Sequence, residues 1–109
     1  MTTVVAVDAY AQAILAGRFL SGDVGMLLLH RDNGTNNLTT LSYVLIVMAV
    51  IAWRAKHVSG HMPVLAVVLT AMIFVQISMG FNRELGVHIP LGVAIVALTT
   101  VLAVRAWRR

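Results

Sequence analysis

Residues 61–107 read HMPVLAVVLTAMIFVQISMGFNRELGVHIPLGVAIVALTTVLAVRAW, two apolar runs parted by one short polar stretch, FNRELGVHIP at 81–90. A helix covers the roughly 30 Å hydrocarbon core of a bilayer with about 20 mostly apolar residues, so each run is long enough to cross. Spans are placed near 62–82 and 86–107. Working towards the N-terminus, the same criterion finds two more, near 38–55 and 4–29, bounded by RAKHVSGHMP at 54–63 and HRDNGTNN at 30–37. Every break holds Gly, Pro or Asn. Short connections make consecutive helices antiparallel neighbours, whereas barrel strands would alternate apolar and polar residues. The expected fold is an all-α membrane protein, a four-helix up-down-up-down transmembrane bundle forming one domain over 1–109.

Composition points the same way. The chain is 60% hydrophobic and 11% charged over 109 residues. A soluble domain this small has too little interior to hide that surface, so the expected solvent is lipid. There are no cysteines, which excludes disulfides, thiolate metal sites and covalently attached haem of the C-x-x-C-H type. Met1–Tyr10 contains no Lys or Arg, so the basic start of a cleaved signal peptide is missing and the first span is expected to remain.

Basic residues set the expected orientation. Arg54 and Lys56 follow the second span and Arg105, Arg108 and Arg109 close the fourth, which predicts both termini and the middle loop on the cytoplasmic side of a bacterial plasma membrane. On the outer side Arg31 is followed by Asp32 and Arg83 by Glu84. The net charge of +4 then reflects topology and anionic lipid, with no nucleic-acid partner expected.

The first span is unusually polar, with Asp8, Gln12, Arg18 and Asp23. Charges in lipid are costly and mark function or pairing. Wound as one helix over 8–30, Asp8, Gln12, Phe19, Asp23, Met26 and His30 share a face directed into the bundle or at a partner subunit. The alternative puts Asp8 at the interface and lets Arg18 snorkel. A spacing of five turns Arg18 and Asp23 apart on one helix.

His30 ends the first span and His88 begins the fourth, so both fall at the outer side. Each precedes a glycine by four residues, Gly34 and Gly92, which removes bulk one turn away, where a flat macrocycle would approach. Two facing neutral imidazoles suit axial ligation of iron; the plainer reading is a pair of interfacial hydrogen-bonded histidines. A faint duplication groups them: Gln12, Gly17, His30, Gly34 and Ala52-Trp53-Arg54 parallel Gln76, Gly80, His88, Gly92 and Ala106-Trp107-Arg108. Parallel repeats place a ligand at their interface, although membrane helices also reuse Gln, Gly and Trp for packing.

The run QISMGFNRELGVHIPLGVAIVALTTVLAVRAWR resembles a helix pair of haem A synthase, in which a Gln-containing span leads into a haem-ligating His. YAQAILAGRFLSGDVGMLLLHRDNGTNNL is similar to a family of uncharacterised four-span actinobacterial proteins with a Gln, a Gly and an outer His-x-x-x-Gly. The resemblance implies His30 and His88 as ligands of haem b; the chain has about half the spans of the synthase and no clear acidic catalytic motif. Arg31 and Arg83, basic and beside the ligand helices, are candidates to meet the propionates. His57 and His61 stand at the spacing of a metal pair, but within a Ser-Gly-Pro turn. Met26 and Met79 are possible axial ligands or packing residues, and Trp53 and Trp107 fit an aromatic belt. Three functional classes follow: an electron-relaying haem protein or small subunit of a redox complex, a non-catalytic accessory subunit of a larger membrane complex, and a proton-coupled small transporter.

Overall fold

The computed structural model describes residues 1–108, which are almost entirely helical and contain no strand. Helix α1 spans Thr2–Leu20; α2 (Met26–Asp32), a π-helical stretch (Asn33–Leu38) and α3 (Thr39–Arg54) follow; α4 spans His61–Phe81 and α5 Leu85–Trp107. Helix α2, the π-helical stretch and α3 run on as one crossing of 29 residues, so the chain has four crossings long and apolar enough for a membrane. The crossings form a ring in which α1 packs on α2 and α5, and α4 on α3 and α5.

The first break differs from the expectation. The chain turns at residues 21–25, and HRDNGTNN is helical, so the first two crossings are Thr2–Leu20 and Met26–Arg54 where 4–29 and 38–55 were predicted. His30 therefore lies in the second crossing. Polar residues stay helical here because their side chains find partners within the fold. Thr35 Oγ1 donates to the Arg31 carbonyl (2.7 Å), Asn37 Nδ2 to Asn33 Oδ1 (2.9 Å) and Thr39 Oγ1 to the Gly34 carbonyl (2.9 Å). A π-turn inside a longer helix is a local feature often found at functional sites.

All three turns close their helix in the same way. At the first, the Asp23 N–H bonds the Arg18 carbonyl and Gly22 N–H that of Phe19, a Schellman ending whose left-handed residue, Gly22, has φ +110°. Lys56 (φ 63°) and Arg83 (φ 58°) occupy that place after α3 and α4, with the same pair of backbone bonds.

The core is formed by Val5, Leu38, Leu45, Ala49, Ala66, Leu69, Ile73, Ile95 and Leu102. Buried Ala6, Ala9, Ala49 and Ala66 allow close helix approach, as small residues do in membrane bundles. The buried hydroxyls of Ser42, Thr70 and Thr99 donate to carbonyls of their own helices, those of Thr39, Ala66 and Val96, so these three do not face hydrocarbon unpaired. Large apolar side chains such as Val7, Ile14, Val47, Ile51, Val64 and Val93 are exposed around the outside, the surface of a bundle solvated by lipid. At the end holding the N-terminus, Trp107 Nε1 donates to Thr3 Oγ1 (2.6 Å) and the Trp53 ring sits against Gly60.

Candidate functional site

Two histidines meet between the halves of the bundle. His30 from α2 and His88 from α5 have ring centres 6.1 Å apart with planes at 82°, and both are half-buried. Each is held by the same device. His30 Nδ1 lies 3.0 Å from the backbone carbonyl oxygen of Gln12 on α1, and His88 Nδ1 lies 2.8 Å from that of Gln76 on α4. A carbonyl only accepts, so Nδ1 carries the proton and donates, and in the neutral ring Nε2 keeps its lone pair. A backbone carbonyl on the remote ring nitrogen is also what orients a histidine that ligates metal.

The glycines act differently from the expectation. Gly34 and Gly92 seat glutamine side chains: a Cβ at Gly34 would lie 2.6 Å from Gln12 Nε2, and one at Gly92 2.8 Å from Gln76 Nε2. Gly80 seats the imidazole itself, since a Cβ there would lie 2.8 Å from His88 Cε1 and 3.0 Å from Nδ1. Gly17, its counterpart in the sequence duplication, has nothing within 4 Å. The geometric equivalence of the halves thus rests on Gln12–His30–Gly34 and Gln76–His88–Gly92.

Asp8 and Gln12 reach this region, but across helices. Asn33 Nδ2 donates to Asp8 Oδ2 (3.2 Å) and to Gln12 Oε1 (3.1 Å). Because α1 ends at Leu20, Asp8, Gln12, Phe19, Asp23, Met26 and His30 do not share one helical face. Arg18 and Asp23 do pair, at 3.4 Å, because the turn brings them together; both are well exposed, at 66% and 42%, so the pair contributes about 0–1 kcal/mol. Arg31 lies over the Phe81 ring, 4.7 Å from its centre, and Arg83 is an exposed turn residue. His57 falls in the turn after α3 and His61 opens α4, at the end of the bundle away from the paired imidazoles.

Asn33, the seat at Gly80 and the two glutamine carbonyls escape a reading of the sequence alone. The carbonyls carry no sequence signal. Asn33 left none either, since it sits in the polar stretch HRDNGTNN, which reads as a loop. Among the described residues no group of three or more His, Cys, Asp or Glu is placed to hold a metal ion. The chain matches no family model, no curated protein and no solved structure, so a functional reading rests on the geometry of the two imidazoles.

Proposed function

We propose that this chain is a b-type haem-binding membrane protein, acting alone or as a small subunit of a redox complex, with His30 and His88 as axial ligands. The observation that carries the reading is the matched pair of imidazoles, each with Nδ1 tied to a carbonyl, 6.1 Å between centres. With metal–nitrogen bonds of about 2 Å and slightly more than 1 Å from each nitrogen to its ring centre, two imidazoles on one iron have centres about 6 Å apart. A bare metal ion generally wants three or four protein ligands, whereas a macrocycle supplies its own and asks the protein for one or two. The donor set therefore suits haem, and it agrees with the resemblance to the haem A synthase helix pair.

When bound, haem would be held by His30 and His88 and would supply one-electron chemistry. The protein's part is to hold the two rings. The Gln12 and Gln76 carbonyls fix tautomer and orientation and raise ligand basicity. The apolar bundle excludes water and so sets the potential. Arg31 and Arg83, at the same end as the imidazoles, remain the candidates to meet propionates.

The test is haem content per folded protein, purified from haem-replete cells, for the wild type and for His30→Ala, His88→Ala and His57→Ala. The expected result is a six-coordinate spectrum in the wild type and in His57→Ala, and its loss in the other two. Haem-free wild type, or both single variants keeping that spectrum, sinks the reading in favour of an accessory subunit. The proposed topology, termini and Lys56 turn on the cytoplasmic side of a bacterial plasma membrane, rests on the basic excess at that end. Reporter fusions after residue 109 and at Gly60 are expected to be cytoplasmic and one at Gly22 external; an external C-terminus overturns it.

A further inference from the structure

We propose that Asp8 is a proton-accepting site linked to electron uptake at the His30–His88 pair, supplied with protons through the cleft beside Asn33; this rests on the haem reading above. Asp8 is half-buried within the first crossing, and among the described residues its carboxylate makes no ion pair. Its one side-chain partner is Asn33, whose amide is shared between Asp8 Oδ2 and Gln12 Oε1. The Gln12 backbone carbonyl in turn accepts from His30 Nδ1. A short polar chain therefore joins the carboxylate to one imidazole of the pair through two residues.

Asn33 also lines a cleft of about 300 Å³ formed with Leu15, Leu29, Asp32, Asn36 and Asn37. At roughly 30 Å³ for each water, that volume holds several, with amide and carboxylate partners to bond them. Asn33 thus stands between Asp8 and a cleft in which Asp32, Asn36 and Asn37 lie beside Leu15 and Leu29.

The elements packed on α1 offer Asp8 little compensating charge. Helix α5 carries none between His88 and Arg105, and α3 none before Arg54. On α2, Arg31 is engaged with Phe81 and Asp32 is turned to the cleft. On α1 itself Arg18 is paired with Asp23. Charge placed at the two histidines would reach Asp8 across the Asn33–Gln12 chain. Negative charge added between the imidazoles favours the neutral carboxyl, and by reciprocity a proton on Asp8 favours the electron. On uptake of one electron from a one-electron reductant, the Asp8 carboxylate would take one proton from water reaching the cleft, and the net charge of the site would be unchanged.

The experiment is a spectroelectrochemical titration of the haem-loaded protein across the pH range in which it stays folded. The wild-type midpoint should fall as pH rises, by at most a tenfold change in the reduction equilibrium per pH unit, about 59 mV for one electron. Asp8→Asn keeps an acceptor for Asn33 and should give a pH-independent midpoint with unchanged haem content. Asp8→Glu should restore the slope, and Glu84→Gln, at an exposed position outside the cleft, should leave it as in the wild type. A flat wild-type profile, a slope that persists in Asp8→Asn, or one abolished in Glu84→Gln overturns the inference and leaves haem binding standing. Haem-free wild type overturns both. Should Asp8→Asn not fold, a reduced-minus-oxidised infrared spectrum of the wild type decides: a protonated carboxyl band appearing on reduction supports the link, and its absence overturns it.

Discussion

Around His30 the glutamine side chain of α1 is bonded, and around His88 that of α4 is not. Gln12 Oε1 accepts from Asn33, while Gln76 Oε1 is buried with no hydrogen-bond partner. Three residues beyond each histidine stand Asn33 in one half and Leu91 in the other; four residues before each glutamine stand Asp8 and Met72. The imidazole-to-carbonyl bond and the glycine under each glutamine are common to both halves. What differs is the polarity around them. The common part fixes two rings in space, which any axial pair requires, and the divergent part gives one ring a polar, chargeable neighbourhood and the other an apolar one.

The largest effect is expected where the common frame is broken from beneath. Gly80→Ala places a methyl 2.8 Å from His88 Cε1 and 3.0 Å from Nδ1, and the ring cannot yield without losing its bond to the Gln76 carbonyl. Haem content should fall more than tenfold, an effect near that of His88→Ala. Gly34→Ala and Gly92→Ala meet only the ends of flexible glutamines, so their cost is expected at about 1 kcal/mol, with haem retained. Haem content and thermal unfolding in detergent, measured together, separate the two kinds of glycine. Equal losses in all three would show that the seats are mere helix spacing.

A smaller effect tests the difference between the halves. Gln12→Met removes the acceptor for one hydrogen of Asn33 in a half-buried site and should destabilise by about 1–3 kcal/mol. Gln76→Met removes an atom that has no partner, and is expected to be neutral or stabilising by up to about 1 kcal/mol. Leu91→Asn, which restores to the second half the donor present in the first, should reverse that advantage. The measurement is the shift in unfolding midpoint; a loss in Gln76→Met as large as in Gln12→Met would break the asymmetry.

How much of this was legible in the sequence depends on the kind of signal each feature leaves. The crossings at His61–Phe81 and Leu85–Trp107 were legible because length and hydropathy alone identify them. The turn at 21–25 was not, since Asn33, Thr35, Asn37 and Thr39 read as loop residues until their partners are known, and those partners include Asp8 and Gln12 far along the chain. That His30 and His88 share one end of the bundle was legible from topology; that their rings meet, 6.1 Å between centres, was not. What holds them was hidden, because a backbone carbonyl is present at every position and only packing selects those of Gln12 and Gln76. Gly34 and Gly92 drew notice for the right spacing and the wrong reason: the space they make is filled by glutamine.

The smallest expected effect has the opposite sign and concerns Gly17, which the duplicated pattern pairs with Gly80. Nothing lies within 4 Å of a Cβ at Gly17, and no left-handed backbone angle requires glycine there. It is exposed and three residues from the end of α1. A methyl in that position meets no atom of the fold and reduces the freedom of the unfolded chain. Gly17→Ala should therefore stabilise by about 0.5–1 kcal/mol, raising the unfolding midpoint by a few degrees with haem content unchanged. Paired with Gly80→Ala it opposes two glycines that look alike in sequence: one is a weak point in a helix, the other the floor beneath an imidazole. If Gly17→Ala lowers the midpoint or releases haem, then α1 is seated at Gly17 as α4 is at Gly80, and the two halves are more alike than their contacts make them.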